Sequence, residues 1–332
     1  MPPEWHPHTR TWMSWPVATY MTEGDPEHAY RAWSNVANTI VDFEPVTVVV
    51  DPSQRDAAAA WLDPRVDRLE CPLDDAWMRD NGATFLIDGR GGLAGVDWRF
   101  NAWGNDWGGY GNDDKVAAVA IERAGARRYA SQMVNEGGGI AVDGQGTVII
   151  TETVQLHERR NPDWTKQDVE AELAAFIGAP NVIWLPRGLT SDYGGTATNG
   201  HVDLLAAFVQ PGVVVCHVQP DSSHPDFEVT RENLGILRAA KDPAGRELEV
   251  VEVLAPTVLE VHGKPAEYTY INHYLANGLA LVCVFDDVND AAAADIFGRL
   301  LPERRVVFID ARPIFDYGGG IHCITQQEPR PA

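Results

Sequence analysis

The chain has 332 residues, 45% hydrophobic and 22% charged, a balance that gives one large or two ordinary packed domains and excludes a disordered polymer. A net charge of −22 argues against phosphate backbones, and so nucleic acid, as partners. The first sixteen residues lack the basic start and apolar stretch of a signal peptide, and no apolar run is long enough to span a bilayer. The four cysteines, at 71, 216, 283 and 323, show neither metal nor disulfide spacing, so the expected setting is the cytosol, away from membranes.

In chain order, Trp5, Trp12 and Trp15 are expected to pack as one aromatic cluster. Apolar residues at helical spacing predict a helix over 28–43, followed by a strand in VTVVV at 46–50. TVIIT at 147–151 predicts a strand, DVEAELAAFIG at 168–178 a helix, and GVVVC at 212–216 another strand. DPAGRE at 242–247 reads as a turn. LALVCVF at 279–285 predicts a strand, AAAADIFGRLL at 291–301 a helix capped by Asn289 or Asp290 and weakened by Gly298, and RVVFID at 305–310 a final strand. Strands alternating with helices make an α/β protein, and with no low-complexity linker residues 1–332 are expected to form a single domain.

Four polar motifs stand out: WMRDNG at 77–82, NEGGG at 135–139, NGHVD at 199–203 and GGGIHC at 318–323. Each sets an ionisable or nucleophilic side chain beside glycine, the residue that lets backbone come close to something else. Singly they are weak. Asp80, Glu136 and Asp203 each read as surface or structural carboxylates, His201 as a core histidine, and Cys323 as a small buried hydrophobe. A thiol after a glycine loop is also a candidate nucleophile, because a nearby cation or dipole lowers its pKa. The motifs lie about 56, 65 and 122 residues apart, the last interval close to twice the others. That period suggests repeated β/α modules around an axis, each sending one loop to a shared centre. His217, His224 and His262 match no such motif and are expected in structure or on the surface.

Taken together, the motifs resemble the agmatine deiminase family of the guanidino-modifying, or pentein, superfamily. The likeness runs from PPEWHPHTRTWMSWP at 2–16, through DDAWMRDNGATF, NEGGGIAVDGQGT, NGHVD and YLANGLALV, to GGGIHCITQQEP. It implies a five-bladed α/β propeller with its active site on the axis. By the same resemblance Asp80 and Asp203 grip a guanidinium, Cys323 attacks its carbon, His201 moves the protons and Glu136 orients His201. Trp77 and Gly320 are expected beside the substrate. No metal or cofactor is implied, since the substrate carries the charge that the site must bind.

The implied substrate is a small guanidine, agmatine first. Free arginine, peptidyl-arginine, amidino transfer to an amine and a non-catalytic binding role remain as alternatives, and a homo-oligomer stays open. Asn81, Ala83, Asn199, Leu204 and Gly320 depart from the family's commoner residues, at places where the substrate's tail could be read.

Overall fold

The structure is a computed structural model and describes residues 1–105, 109–194, 197–258, 260–261 and 264–331. One unit recurs five times. An inner strand pairs antiparallel with a middle strand, and a helical crossover then leads to an outer strand parallel to the middle one. Such a crossover is what a parallel pair requires.

Blade 1 contains Thr84–Ile87, Leu93–Arg99 and Arg127–Val134, and blade 2 Ala141–Val142, Thr147–Thr151 and Asn181–Leu185. Blade 3 contains Ala206–Gln210, Val213–Val218 and Glu249–Leu254, and blade 4 Tyr274–Ala276, Leu279–Val284 and Arg305–Asp310. Blade 5 joins the two ends of the chain. Its inner strand Thr325–Pro329 pairs antiparallel with His8–Ser14, which pairs parallel with Val46–Val50, and Asp67–Glu70 adds a fourth strand. The indole N–H of Trp12 donates to Glu328 across this seam at 2.9 Å, and the Gln326 amide donates to the Ala83 carbonyl, tying blade 5 to blade 1. The fold is therefore the expected five-bladed α/β propeller.

The predicted strands at 46–50, 147–151 and 305–310 match observed strands, while those begun at 212 and 279 run over Val213–Val218 and Leu279–Val284. All but the strand at 305–310 are middle or parallel-paired strands covered on both faces, and such strands read as continuous apolar runs. The predicted helices are observed as Pro26–Ile40, Lys166–Ile177 and Asp290–Leu300. Capping differs from expectation at the last of them. Asn289 precedes that helix without a side-chain cap, its amide donating instead to the Ala255 carbonyl, while Asp290 accepts from the Phe285 and Asp287 N–H groups of the incoming loop.

The N-terminal tryptophans pack, but not as one cluster. Trp12 joins Val49, Met78 and Phe85, whereas Trp15 stacks on Tyr30 in the main core with Trp5 at its edge. Side chains on the two faces of an extended chain diverge into different layers. His217 is buried and His224 accepts from the Asp226 N–H, while His262 lies outside the described residues. No helix among the described residues is long and apolar enough to cross a membrane.

Just before each inner strand the chain makes one polar turn. Arg79 and Asp80 precede blade 1, Glu136 to Gly138 blade 2, His201 to Asp203 blade 3, and His322 and Cys323 blade 5. The turn before blade 4 carries Asn272, and it fills the doubled interval in the motif spacing. The repeat thus delivers five turns to one end of the axis.

Candidate active site

Asp80 sits in the short helix Met78–Asn81, and both of its carboxylate oxygens are anchored. The Gly138 N–H donates to Oδ1 at 3.0 Å and the Trp103 indole N–H to Oδ2 at 2.9 Å. Asp203 is the middle residue of the 3-10 turn Val202–Leu204, with Oδ2 2.8 Å from His322 Nδ1 and 3.6 Å from the Cys323 sulfur, while its buried Oδ1 has no hydrogen-bond partner. His201 Nε2 lies 3.3 Å from Glu136 Oε2. Its Nδ1 is buried and unpartnered, 3.9 Å from Asp80 Oδ1 and 4.0 Å from Asp203 Oδ1. Asp80, Glu136, His201, Asp203 and Cys323 are all at least nine-tenths buried.

Gly138 marks where these groups converge. A Cβ there would lie 2.5 Å from His201 Nδ1, 2.9 Å from Asp80 Oδ1 and 3.1 Å from Asp203 Oδ2, so only glycine passes. Gly320 is equally constrained, since its Cβ would fall 2.4 Å from Asn272 Oδ1. It packs against Asn272, the thiol's support, and its backbone faces the Cys323 sulfur.

The charges set the protonation states. Burial raises the Asp80 pKa, as do Asp203 and Glu136, and His201 with the Trp103 N–H offsets this only in part, leaving it at about 6. Burial opposes the charge on His201, but Asp80, Glu136 and Asp203 outweigh it and hold the imidazolium to about 9. Glu136 is desolvated too, yet Arg160 and His201 draw it down to about 2. Burial together with Asp203 and Asp80 keeps the Cys323 thiol well above its usual value. An arriving cation offsets those two carboxylates and favours the thiolate.

Trp77 is buried, edge-on to Trp33, with its N–H donating to Tyr20 and its ring lying along Gly319 beside Cys323. It is both core and pocket wall. Of the residues departing from the family pattern, Ala83 faces the core of blade 1, away from any ligand. Asn199 adopts φ +67° and its amide donates to the Trp103 carbonyl, fixing the indole that holds Asp80.

Four supporting residues were not singled out from the sequence. Arg160 is buried with Nε 2.8 Å from Glu136 Oε1, and its Nη2 donates to the Thr198 carbonyl. Asp192 accepts from the Gly200 and His201 N–H groups and so shapes the histidine turn. Trp103 anchors Asp80. Asn272 donates from Nδ2 to the Cys323 sulfur at 3.2 Å, while its Oδ1 accepts from the His322 N–H at 2.9 Å.

A donor to sulfur stabilises a thiolate, and hydrogen bonds to charged groups contribute about 1.5–3 kcal/mol. Asn272→Ala should therefore lower kcat/KM by about 10- to 10²-fold. Steady-state assay of the folded variant checks this, and an unchanged constant would exclude a role at the thiol.

The sequence profile of the Porphyromonas-type peptidyl-arginine deiminases matches residues 1–329. A Streptomyces avermitilis protein named, provisionally, an agmatine deiminase is 57% identical, with 99% of this chain and 97% of the relative covered. The agmatine deiminase of Ectopseudomonas mendocina is 39% identical over 100% of this chain and 95% of its own. Among solved structures, that of the agmatine deiminase of Enterococcus faecalis aligns with a TM-score of 0.94 at 33% identity, covering 100% of this chain and 96% of the other.

Proposed function

The chain belongs to the Porphyromonas-type peptidyl-arginine deiminase family, and from that membership we propose that it hydrolyses agmatine to N-carbamoylputrescine and ammonia. The observation that carries the reading is the convergence of a thiol, an imidazolium and two carboxylates on the single point beside Gly138. A guanidinium is planar and permanently charged, so its carbon is a poor electrophile until it is held and polarised. Asp80 and the free Oδ1 of Asp203 grip its N–H edges and set the carbon against the sulfur.

Cys323 gives up its proton to solvent as the cation binds, and the thiolate forms a C–S bond to the guanidinium carbon. His201 donates a proton to one terminal nitrogen, whose C–N bond breaks to release ammonia and leave an S-alkylthiouronium. His201, now neutral, takes a proton from water as its oxygen attacks that carbon. The C–S bond breaks, the ureido product forms and the thiol is restored. Residues 1–332 act as one catalytic unit, and we place it in the cytosol. Its product becomes putrescine once the carbamoyl group is removed, which connects it to polyamine formation.

The choice of agmatine over arginine rests on the cations available. Arg79 is buried and engaged by Glu4, Gln327 and the His322 carbonyl, while Arg187 is at the surface with Glu232. Neither is available for an α-carboxylate. A cavity of about 460 Å³ that shares the Trp103 wall with the site is lined by Tyr20, Asp74, Asp75 and Asp113, groups that favour an ammonium over a carboxylate. Burying a carboxylate without a partner costs several kcal/mol, so agmatine should exceed arginine in kcat/KM by at least about 10²-fold. Ammonia and ureido product measured for agmatine, arginine and arginine methyl ester decide it. Equal rates for agmatine and arginine would contradict the assignment, and faster turnover of peptide-linked arginine would move the chain to that substrate.

A further inference from the structure

A second set of buried charges lies behind the site. The segment before the first strand brings Glu4 to the axis, where Oε2 is 3.0 Å from His322 Nε2 and 3.2 Å from Arg79 Nη2, and Oε1 accepts from the Leu275 N–H at 2.8 Å. His322 reaches the other way to Asp203 Oδ2 at 2.8 Å. Arg79 is held by the Gln327 side chain at 2.8 Å and by the His322 carbonyl at 3.2 Å. Four segments distant in sequence thus build one continuous line, Asp203–His322–Glu4–Arg79, in which carboxylates and cations alternate. At its Asp203 end the line comes within 3.6 Å of the Cys323 sulfur.

We propose that Glu4 and His322 are positioning residues that lock Oδ2 of Asp203 and keep its Oδ1 free and anionic for the guanidinium. The inference rests on the reading of Asp203 as one of the two guanidinium grips. Without a partner a buried carboxylate takes up a proton and rotates, and a protonated Asp203 cannot hold a cation bidentately. The His322 hydrogen bond fixes the rotation and its charge favours ionisation. Glu4 in turn fixes the ring from the far side.

The surrounding charges agree. Asp203 faces His322, His201, Arg79, Asp80 and Cys323, and although burial raises its pKa, the cations bring it below the usual carboxylate value. His322 faces Glu4, Asp203, Arg79 and His273. Burial and Arg79 disfavour its charge, and Glu4 and Asp203 outweigh them. Removing the negative charge of Glu4 therefore weakens the cation that Asp203 depends on, although Glu4 never approaches the substrate.

The test uses His322→Asn, which keeps a donor for Asp203 but removes the charge and the link to Glu4, together with Glu4→Gln, which keeps an acceptor for Leu275. Asp203→Asn and the Glu4/His322 double variant complete the set, with thermal unfolding as the control for folding. In both single variants Asp203 should rise to titrate alongside Asp80, which alone sets the acid limb of the parent's kcat/KM profile for agmatine, so that limb should steepen and move up by about half a pH unit or more. KM should rise about 10-fold or more, with a smaller change in kcat. The double variant should be no worse than His322→Asn alone, because Glu4 acts through His322. An acid limb that stays in place in folded His322→Asn, or losses that add in the double variant, would overturn the relay while a strong Asp203→Asn defect left the grip standing. A near-normal Asp203→Asn would remove both.

Discussion

Replacing Cys323 by alanine should reduce agmatine turnover to background while leaving circular dichroism and the unfolding transition close to those of the parent protein. Among the described residues at the point of convergence, the sulfur is the thiol placed to form the covalent bond that divides the reaction into two accessible steps. Its surroundings show why no other thiol can substitute. Burial pushes Cys216 and Cys283 up to about 12, Cys216 also by facing the Glu252 carboxylate. Cys71 is partly exposed at the end of an outer strand, beside the carboxylates Asp113 and Asp51. Cys71→Ser should therefore retain activity. Cys216→Ala and Cys283→Ala should retain it too, at a cost in stability of about 1–3 kcal/mol for the emptied volume. Appreciable residual turnover in folded Cys323→Ala would remove this residue from the chemistry.

His201→Ala is expected to lower kcat by about 10² to 10⁴-fold with a much smaller effect on KM. The imidazolium touches Glu136 through Nε2 and turns Nδ1 toward the space between Asp80 and Asp203, where it can deliver a proton to the departing nitrogen. The pH profile gives the sharper reading. In the parent enzyme kcat/KM should rise through about 6 as Asp80 ionises and fall above about 9 as His201 loses its proton. Removing His201 takes away the alkaline limb. It also removes a positive charge that depresses the Asp80 pKa, so the acid limb should move upward. A variant with both limbs in place and only KM altered would show that His201 binds rather than transfers protons.

How much of this could be read from the sequence follows from burial and charge. The strands at 46–50 and 147–151 were legible because every residue in them is buried, whereas Ala141–Val142 is two residues long and Asp67–Glu70 is mostly exposed. Four of the five axial turns were visible because each joins a reactive side chain to glycine or to a charged neighbour. The fifth was not, since Asn272 is neutral and stands in TYINHYL with no glycine beside it. The doubled interval between His201 and Cys323 was its signal.

Nothing in HERRNPDW sets Arg160 apart, and only the buried Glu136 opposite makes it an interior residue. Glu4 was hidden in a segment dominated by tryptophan, because its partners lie on the turns before blades 1 and 5 and on the inner strand of blade 4. Long-range pairing of this kind has no local periodicity to reveal it. What Gly320 and Trp77 touch, Asn272 in one case and Trp33 in the other, depends on the closed ring.

The most direct measurement is mass spectrometry of enzyme mixed with agmatine and quenched in acid during turnover. The expected result is a fraction of the protein heavier by agmatine less ammonia, with the added mass on the peptide containing Cys323 and absent from Cys323→Ala. Ureido product accumulating while Cys323 stays unmodified at every quench time, including at the acidic pH where a reprotonated His201 slows attack of water on the adduct, would contradict covalent deimination by this thiol.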